Sequence, residues 1–413
     1  MWLHQAFQPG HFSVEPMLEW IVFSSVASAS AGAFYLFLLS LLIPAVRARA
    51  GEILSLPYPS TKQEIAALDV YRGGAASLVT MAHIWVFSQP IFNATQQQWW
   101  HFLAVGGNKA VPIFVMLSGF LIFRAVRNIQ SADDLSRYIQ RRFLRIYPVY
   151  LFTLLLGYGV GQMAFDLPNL LSQVFMVRTI NPVYLKFINP PSWSLYVEVL
   201  FYAVLPIWVV AFRKRLMLAA MVSFVVLLFV DPLASRELWL WKYFFVGIMV
   251  SEFVDRYGKH ISERFSLVIF LVGCGLLYLD FRVGPKGAPF DWFNAFGIVP
   301  KNHAEYTIGL AVACSLILIG TLRSPLVARG MSVKPFRVLG AVSYSLFLIH
   351  PFFILAVFTK FDFAKAGQVQ ALMEAAPAAP AWYAPFVMFP GALAWAIVCF
   401  VLVERPFLLR RPK

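Results

Sequence analysis

The chain has few charged residues for its length and almost no cysteine chemistry. Only 13% of its 413 residues are Asp, Glu, Lys or Arg, whereas 60% are hydrophobic, and its mean hydropathy is +0.70. This composition excludes a set of ordinary soluble domains and is typical of a polytopic membrane protein. The three cysteines lie singly within apolar segments and form no CxxC pair. The sequence therefore predicts no metal centre and no redox site.

Acidic residues are also scarce. There are 20 of them against 34 Lys and Arg residues, which leaves a formal net charge of +14. A soluble protein of this charge would be a candidate for nucleic-acid binding. Here the basic residues alternate with apolar segments of spanning length instead of clustering on one polar domain, which is typical of the positive-inside rule. We therefore predict membrane lipid, and no nucleic acid, as a partner.

The N-terminus lacks the basic residues of a signal peptide, and the apolar run that follows it is too long for a cleaved signal. We therefore expect the first apolar segment to remain as a membrane span. The chain also lacks a polar segment long enough to form a folded domain outside the membrane. The functional site is therefore expected within the helical bundle.

Apolar segments of spanning length predict an all-α polytopic transmembrane bundle of about eleven spans. With the N-terminus placed outside, 24 of the 34 Lys and Arg residues fall on the inner side, which indicates an N-out, C-in orientation. Residues 1–60 are interpreted as an extra helix with a connector, and residues 61–413 as a ten-span main domain. The predicted spans are 17–46, 67–90, 110–127, 147–165, 193–212, 216–232, 239–254, 265–282, 306–322, 338–360 and 385–404.

Arg72 and His83 lie eleven positions apart in one apolar helix pattern, LDVYRGGAASLVTMAH. At about 1.5 Å per residue, an Arg72 at the inner helix end places His83 roughly 16 Å deeper, near the middle of the bilayer. Ionisable residues are costly at that depth, so they indicate a functional site. The structural alternatives are a core histidine bonded to a helix backbone and an arginine that only anchors the helix end.

Three further polar residues are predicted near the depth of His83 from other spans, namely Ser118, Glu198 and His350. An imidazole titrates near neutral pH, and a carboxylate bonded to one ring nitrogen fixes the other as a proton acceptor. This layer therefore predicts general-base catalysis by His83, with Glu198 or Asp69 as the orienting carboxylate. Ser118 lacks the GxSxG setting of a nucleophile and is interpreted as part of a close helix contact.

The inner segment RAVRNIQSADDLSRYIQRRFLRIY is rich in arginine. Arg137, Arg141 and Arg145 repeat every four residues and therefore share one helix face, with Arg142 beside them. Their fork-shaped donor groups suit phosphate oxygens and predict a site for a nucleotide-bearing donor such as coenzyme A. Contact with anionic lipid headgroups is an equally weighted alternative.

Five stretches together resemble the bacterial integral-membrane acyltransferase family called acyltransferase type 3, whose members O-acylate sugars and other envelope molecules. The stretches are LDVYRGGAASLVTMAH, VPIFVMLSGFLI, RRFLRIYPVY, PSWSLYVEVLFY and LGAVSYSLFLIHP, and VERPF resembles the family's usual ending. They occur in the family's order. The chain departs from the family pattern at Val70, where a glycine is common, at Val199, where a second acid is frequent, and in its extra first span.

The resemblance implies that His83 is the catalytic base or the acyl-transfer residue, that Arg72 is its required partner, and that Glu198 is the family's acidic position. It further implies cytoplasmic acyl-CoA as donor, with acetyl-CoA as the simplest case, an envelope glycan or glycolipid as acceptor, and no permanently bound cofactor or metal. The residues predicted to bind the donor are Arg137, Arg141, Arg142 and Arg145. The residues predicted to line the substrate site are Ser118, Trp193, Tyr344, His350 and Asp69.

The sequence is interpreted as a bacterial inner-membrane acyltransferase, and two other interpretations compete with this one. A transporter or flippase for an amphipathic molecule would also line a path with polar residues, but broken spans in matching halves would be expected, and the sequence has only scattered cases. A non-catalytic scaffold of an envelope complex is the second rival, against which the intact pair of Arg72 and His83 argues. A homo-oligomer is compatible with the sequence.

Overall fold

The computed structural model describes residues 15–55, 66–88, 106–159, 166–176, 188–229, 236–283, 308–357 and 382–410. Across these residues the regular elements are helices and no strand is found, which confirms the predicted all-α class. The helices are α1 (Glu15–Ser40), α2 (Pro44–Leu54), α3 (Asp69–Ser88), α4 (Ala110–Val126), α5 (Ala132–Gly159), α6 (Leu167–Val174), α7 (Trp193–Phe212), α8 (Leu216–Leu228), α9 (Arg236–Tyr257), α10 (Glu263–Val283), α11 (Ile308–Arg323), α12 (Pro325–Met331), α13 (Lys334–Val357), α14 (Phe389–Cys399) and α15 (Arg405–Leu409). Two π-helical turns, Ala384–Met388 and Phe400–Glu404, flank α14.

Several helices are suited to crossing a membrane. Among the described residues, 4 helical segments are long and apolar enough by length and composition, and the number rises to 6 if each of two bent helix pairs is one span. The shorter helices α4 and α8 are also apolar. These helices support a multi-pass membrane protein. The finer count of about eleven spans and the N-out orientation stay predictions.

Two predicted spans differ from the helices that form. The span 17–46 is not one straight helix, because α1 ends at Ser40 and the chain bends by 116° into α2. Pro44 begins α2, and a proline is favoured at a helix start because its missing N–H is not needed there. Residues 147–159 of the predicted span 147–165 are the second half of α5, which runs unbroken from the arginine-rich segment through Pro148. The rest of that predicted span, 160–165, lies outside the described residues.

Glycines bring the central helices into close contact. Gly119 of α4 and Gly247 of α9 lie against each other's helix, and Gly340 of α13 lies against Asp69 of α3. A Cβ atom added at any of these glycines would come within 2.1 to 2.5 Å of a backbone oxygen. Such small-residue contacts let membrane helices approach where lipid offers no hydrophobic driving force. As a result, α4 packs along α9 and α3 packs along α13.

Helix α3 lies between two groups of helices. It packs against α13 on one side and against α4 on another, while α14 and α1 cover the outer side of α13. Helix α5 and the turn at Phe400–Glu404 pack against one another and against α13. The polar residues of α3, α5 and α13 are therefore carried by helices that are in direct contact.

Candidate active site

His83 of α3 and His350 of α13 meet between their two helices. Nδ1 of His83 lies 2.7 Å from Nε2 of His350, and the two ring planes are within 10° of parallel. The contact follows from the close packing of α3 on α13. The structure thus brings together two of the polar residues that the sequence places in one layer.

The hydrogen bonds of His350 decide which ring nitrogens carry protons. Nδ1 of His350 lies 3.0 Å from the carbonyl oxygen of Leu346, which can only accept, so Nδ1 is protonated. The His350 ring is fully buried, at 0% exposure, and no described carboxylate contacts it, so the neutral ring is the stable form. Its Nε2 therefore accepts a hydrogen bond from Nδ1 of His83. Nε2 of His83 then becomes the basic nitrogen of that ring.

The structure corrects the prediction that a carboxylate orients His83. His350 stands at Nδ1 of His83, whereas Asp69 lies at the far end of the same helix and Glu198 has other partners. A neutral imidazole can replace a carboxylate here because the bond to Leu346 fixes its second nitrogen as an acceptor. His83 itself is only partly buried. His350, which orients it, is enclosed, whereas the His83 ring stays partly exposed.

Glu198 of α7 is held by two hydroxyl groups. Oε1 of Glu198 accepts a hydrogen bond from Oγ of Ser118 at 2.5 Å and another from the hydroxyl of Tyr202 on the next helical turn. The structure therefore gives Ser118 a polar role beyond the close helix contact that was predicted. Glu198 and Ser118 form a second polar pair, and Glu198 does not contact His83.

Arg72 and Asp69 lie together at the start of α3. Nη1 of Arg72 is 3.7 Å from Oδ1 of Asp69, and the charges of Arg145 and Arg337 also act on that carboxylate. Arg72 and His83 share one unbroken helix of 20 residues, so the predicted separation of roughly 16 Å along the axis holds. Arg72 thus marks the opposite end of α3 from the histidine pair.

Arg145 does not belong to an open row of donors, because it is buried in an ion pair. Its Nη1 lies 3.1 Å from Oε1 of Glu404, and the other oxygen of Glu404 accepts a hydrogen bond from Oγ of Ser345 at 2.7 Å. Glu404 is only 1% exposed. Three chain segments, α5, α13 and the π-helical turn before α15, are joined at this point.

The other arginines of the predicted stripe have different surroundings. Arg137 and Arg141 are exposed. The guanidinium group of Arg142 lies 5.7 Å from the ring centroids of both Tyr138 and Tyr202. Because Tyr202 also binds Glu198, Arg142 connects the arginine-rich part of α5 to the pair of Glu198 and Ser118.

The two remaining predicted lining residues lie apart from each other. The hydroxyl of Tyr344 donates a hydrogen bond to the carbonyl oxygen of Ile146 at 2.8 Å, and its ring centroid is 5.9 Å from the guanidinium carbon of Arg145. Tyr344 therefore joins α13 to the arginine-rich part of α5. Trp193 is the first residue of α7 and packs, partly buried, against the core.

Sequence reasoning did not single out Glu404 or the buried ion pair of Lys109 with Asp280, whose Nζ and Oδ2 atoms are 2.6 Å apart. A signal for both was present, since an acidic residue inside an apolar segment needs a partner. Tyr202 was also missed, because a tyrosine in a span has no comparable signal. Within the described ranges, no group of three or more His, Cys, Asp or Glu side chains could hold a metal ion.

The arrangement offers a proton acceptor and a basic surface on connected helices. Nε2 of His83 can take a proton from a hydroxyl group, and the bond to His350 stabilises the charged ring that results. The guanidinium groups of α5 suit the phosphates of a nucleotide. Together they fit group transfer between an anionic donor and a hydroxyl acceptor.

Comparisons with known proteins agree with that chemistry. The sequence profile of the acyltransferase type 3 family, described as an acyltransferase domain, matches residues 65–405. Acyltransferase MdmB from Streptomyces mycarofaciens is 30% identical to the chain over an alignment of 171 residues, which covers 38% of this chain and 42% of that protein. The chain thus matches less than half the length of this relative. No solved structure is significantly similar to the chain.

Proposed function

The chain belongs to the acyltransferase type 3 family, and from this premise we propose that it is a membrane O-acyltransferase that acylates a hydroxyl group of an envelope glycan or glycolipid. The proposed donor is acyl-CoA, with acetyl-CoA as the simplest case, which reaches the protein from the cytoplasmic side of a bacterial inner membrane. One observation carries the proposal. The bond between His83 and His350 leaves a basic imidazole nitrogen within the helical bundle.

In the direct form of the reaction, Nε2 of His83 accepts the proton of the acceptor hydroxyl as its oxygen attacks the carbonyl carbon of the thioester. The carbon–sulfur bond breaks, and the proton on His83 passes to the departing thiolate, so that an ester and free coenzyme A are formed. His350 remains neutral and accepts the hydrogen bond from Nδ1 of His83 throughout. That bond strengthens when His83 is charged, which lowers the energy of the transition state.

In the two-step form, Nε2 of His83 attacks the thioester carbonyl carbon, the carbon–sulfur bond breaks, and the thiolate of coenzyme A leaves an acylated imidazole. The acceptor hydroxyl then attacks that acyl group, the bond to Nε2 breaks, and the hydroxyl proton neutralises the thiolate. The same tautomer serves both forms, because each needs a lone pair on Nε2. The contribution of His350 is therefore the same in both: it holds the proton on Nδ1 of His83 and fixes the ring plane.

We assign donor binding to the arginine-rich part of α5 and to Arg72. Arg137 and Arg141 are exposed, so their guanidinium groups are accessible to the phosphates of coenzyme A. Arg145 is engaged with Glu404, and we assign it the role of holding α5 against the π-helical turn before α15. Arg142 links the donor region to Glu198 through Tyr202.

Product analysis with purified, lipid-reconstituted protein tests the proposed function. The protein is given acetyl-CoA labelled in its acetyl group together with hydroxyl-bearing envelope glycans, and the glycans are examined for a base-labile labelled ester. We expect ester formation with release of free coenzyme A in equal amounts. Binding of acetyl-CoA without transfer to any hydroxyl acceptor would contradict the proposal and would favour transport or scaffolding.

A further inference from the structure

A surface groove with a volume of about 390 Å³ lies between α5 and the end of α15. Its walls are formed by residues of two elements, and none of them has a role in the proposed reaction. They are Ile139, Gln140, Phe143 and Leu144 of α5, together with Arg410, which directly follows α15.

The groove is on the side of α5 that points away from the bundle. Ile139 and Phe143 are one helical turn apart and share a face, and they remain 55% and 51% exposed. Tyr138 and Arg145, on the opposite face, are buried. Large apolar side chains exposed in this way are stable against hydrocarbon and costly against water. The walls of the groove on α5 are therefore suited to acyl chains.

The end of the groove at Arg410 is positively charged. The guanidinium carbon of Arg410 lies 5.9 Å from the ring centroid of Phe407, and within the described chain Arg410 forms no ion pair. The residues that line the groove include no acidic side chain. Gln140 and the nearby Arg141 are exposed on α5. The groove thus combines apolar walls with a cation and an amide, which is the pattern that complements an anionic lipid headgroup and its chain.

We propose that this groove binds one anionic glycerophospholipid of the cytoplasmic leaflet. Its phosphate lies at Arg410 and Gln140, and an acyl chain runs along Ile139 and Phe143. The lipid then bridges α5 and the end of α15, whereas the buried pair of Arg145 and Glu404 joins the opposite face of α5 to the π-helical turn before α15. The proposal goes beyond the acyl-transfer reaction and does not depend on it.

Native mass spectrometry of the full-length protein tests this proposal. Protein released from micelles that contain equal amounts of phosphatidylglycerol and phosphatidylcholine should retain one phosphatidylglycerol in preference. Arg410→Gln should weaken this retention about fivefold, since one cationic side chain near a lipid surface contributes about 1 kcal/mol. Arg329→Gln removes another exposed arginine, on α12, which does not line the groove, and should leave retention unchanged. Equal retention of the two lipids, or equal effects of the two variants, would overturn the proposal.

A second variant tests the groove by filling it. Gln140→Trp places a bulky ring in the groove on an exposed position, and it should remove the preferential lipid while acetyl-CoA binding is preserved. If acetyl-CoA instead displaces the lipid from wild-type protein and both substitutions weaken acetyl-CoA binding, the groove belongs to the donor and the lipid proposal is overturned. Lipid retention is measured without turnover, so its failure leaves the role of His83 unaffected.

Discussion

His350 holds His83 through ring nitrogens that are 2.7 Å apart, and its own second nitrogen is fixed by the carbonyl oxygen of Leu346. The chain of donors and acceptors therefore runs in one direction, from His83 to His350 to a helix backbone. A carboxylate orients the base in many enzymes, and here a buried neutral imidazole occupies that place. In the proposed mechanism, the activity of His83 therefore depends on a residue of another helix.

Replacing His350 tests that dependence. His350→Leu removes the acceptor for Nδ1 of His83, so we expect kcat to fall about 10²-fold with little change in the apparent KM for acyl-CoA. His350→Gln supplies an amide oxygen as acceptor and should retain more activity than the leucine variant. Steady-state kinetics of the three proteins measure the difference. A leucine variant with wild-type kcat would show that His350 only fills space.

Removing one partner of the pair of Arg145 and Glu404 should destabilise the fold. Arg145→Ala leaves a buried carboxylate unpaired, which costs about 3–5 kcal/mol, whereas Arg141→Ala removes an exposed arginine on the same helix face and should change the unfolding free energy by less than about 0.5 kcal/mol. Thermal unfolding in detergent gives the comparison.

Exchanging the two charges distinguishes the effect of losing the ion pair from the effect of losing side-chain volume. Arg145→Glu combined with Glu404→Arg should recover part of the thermal stability that either single substitution loses, because opposite charges again face each other. Additive losses in the double variant would mean that the two side chains are not coupled.

Donor affinity should depend on the exposed arginines of α5. Arg137→Ala with Arg141→Ala removes two guanidinium groups that can bind phosphate, so the apparent KM for acetyl-CoA should rise by about tenfold while kcat stays within about twofold. The rise should shrink at high ionic strength, because exposed charges are screened. Arg329→Ala serves as control on another helix. An unchanged KM would mean that these arginines do not bind the donor and serve only as a signal for membrane topology.

The start of α5 should respond to acid through Asp134. The hydrogen bond from Arg137 and the backbone amides of Gln130 and Ser131 lower the pKa of Asp134 from 3.8 to about 2. Because the folded-state pKa is lowered, this contribution to stability is present above pH 4 and is lost as the pH falls from about 4 to about 2. Amide exchange at the first turn of α5, corrected for intrinsic rates, should accelerate across that interval. Asp134→Asn should abolish the pH dependence, and an identical dependence in that variant would rule out Asp134 as its origin.

The sequence predicted the positions of the candidate residues along their helices better than it predicted their contacts. Arg72 and His83 were expected on one helix, and α3 carries both, because an apolar helical pattern fixes axial distance. Glu198 and His350 were placed at one depth, but depth leaves the rotation of each helix open. In the structure, Gly340 of α13 lies against Asp69 of α3, and farther along the same two helices His350 meets His83.

The sequence also did not predict ion pairs between residues that are far apart along the chain. Arg145 was read with Arg137 and Arg141 because they share a helix face, yet its partner Glu404 is far away along the chain. Local periodicity shows which side chains share a face, and it does not show which faces are covered by other helices. The bend between α1 and α2 was missed because apolar composition continues through it, although Pro44 marks the helix start.

The most direct test of the central claim is acetyl transfer by His83→Ala in reconstituted membranes. The variant protein should lose about 1–3 kcal/mol of stability, because Nε2 of the buried His350 loses its hydrogen-bond donor. It should remain folded and keep its binding of acetyl-CoA, because the arginines assigned to the donor are unchanged. We predict that transfer of labelled acetyl to the acceptor falls by at least about 10²-fold. Turnover within a few-fold of wild type by such a folded, donor-binding variant would contradict the assignment of His83 as the catalytic base or acyl carrier.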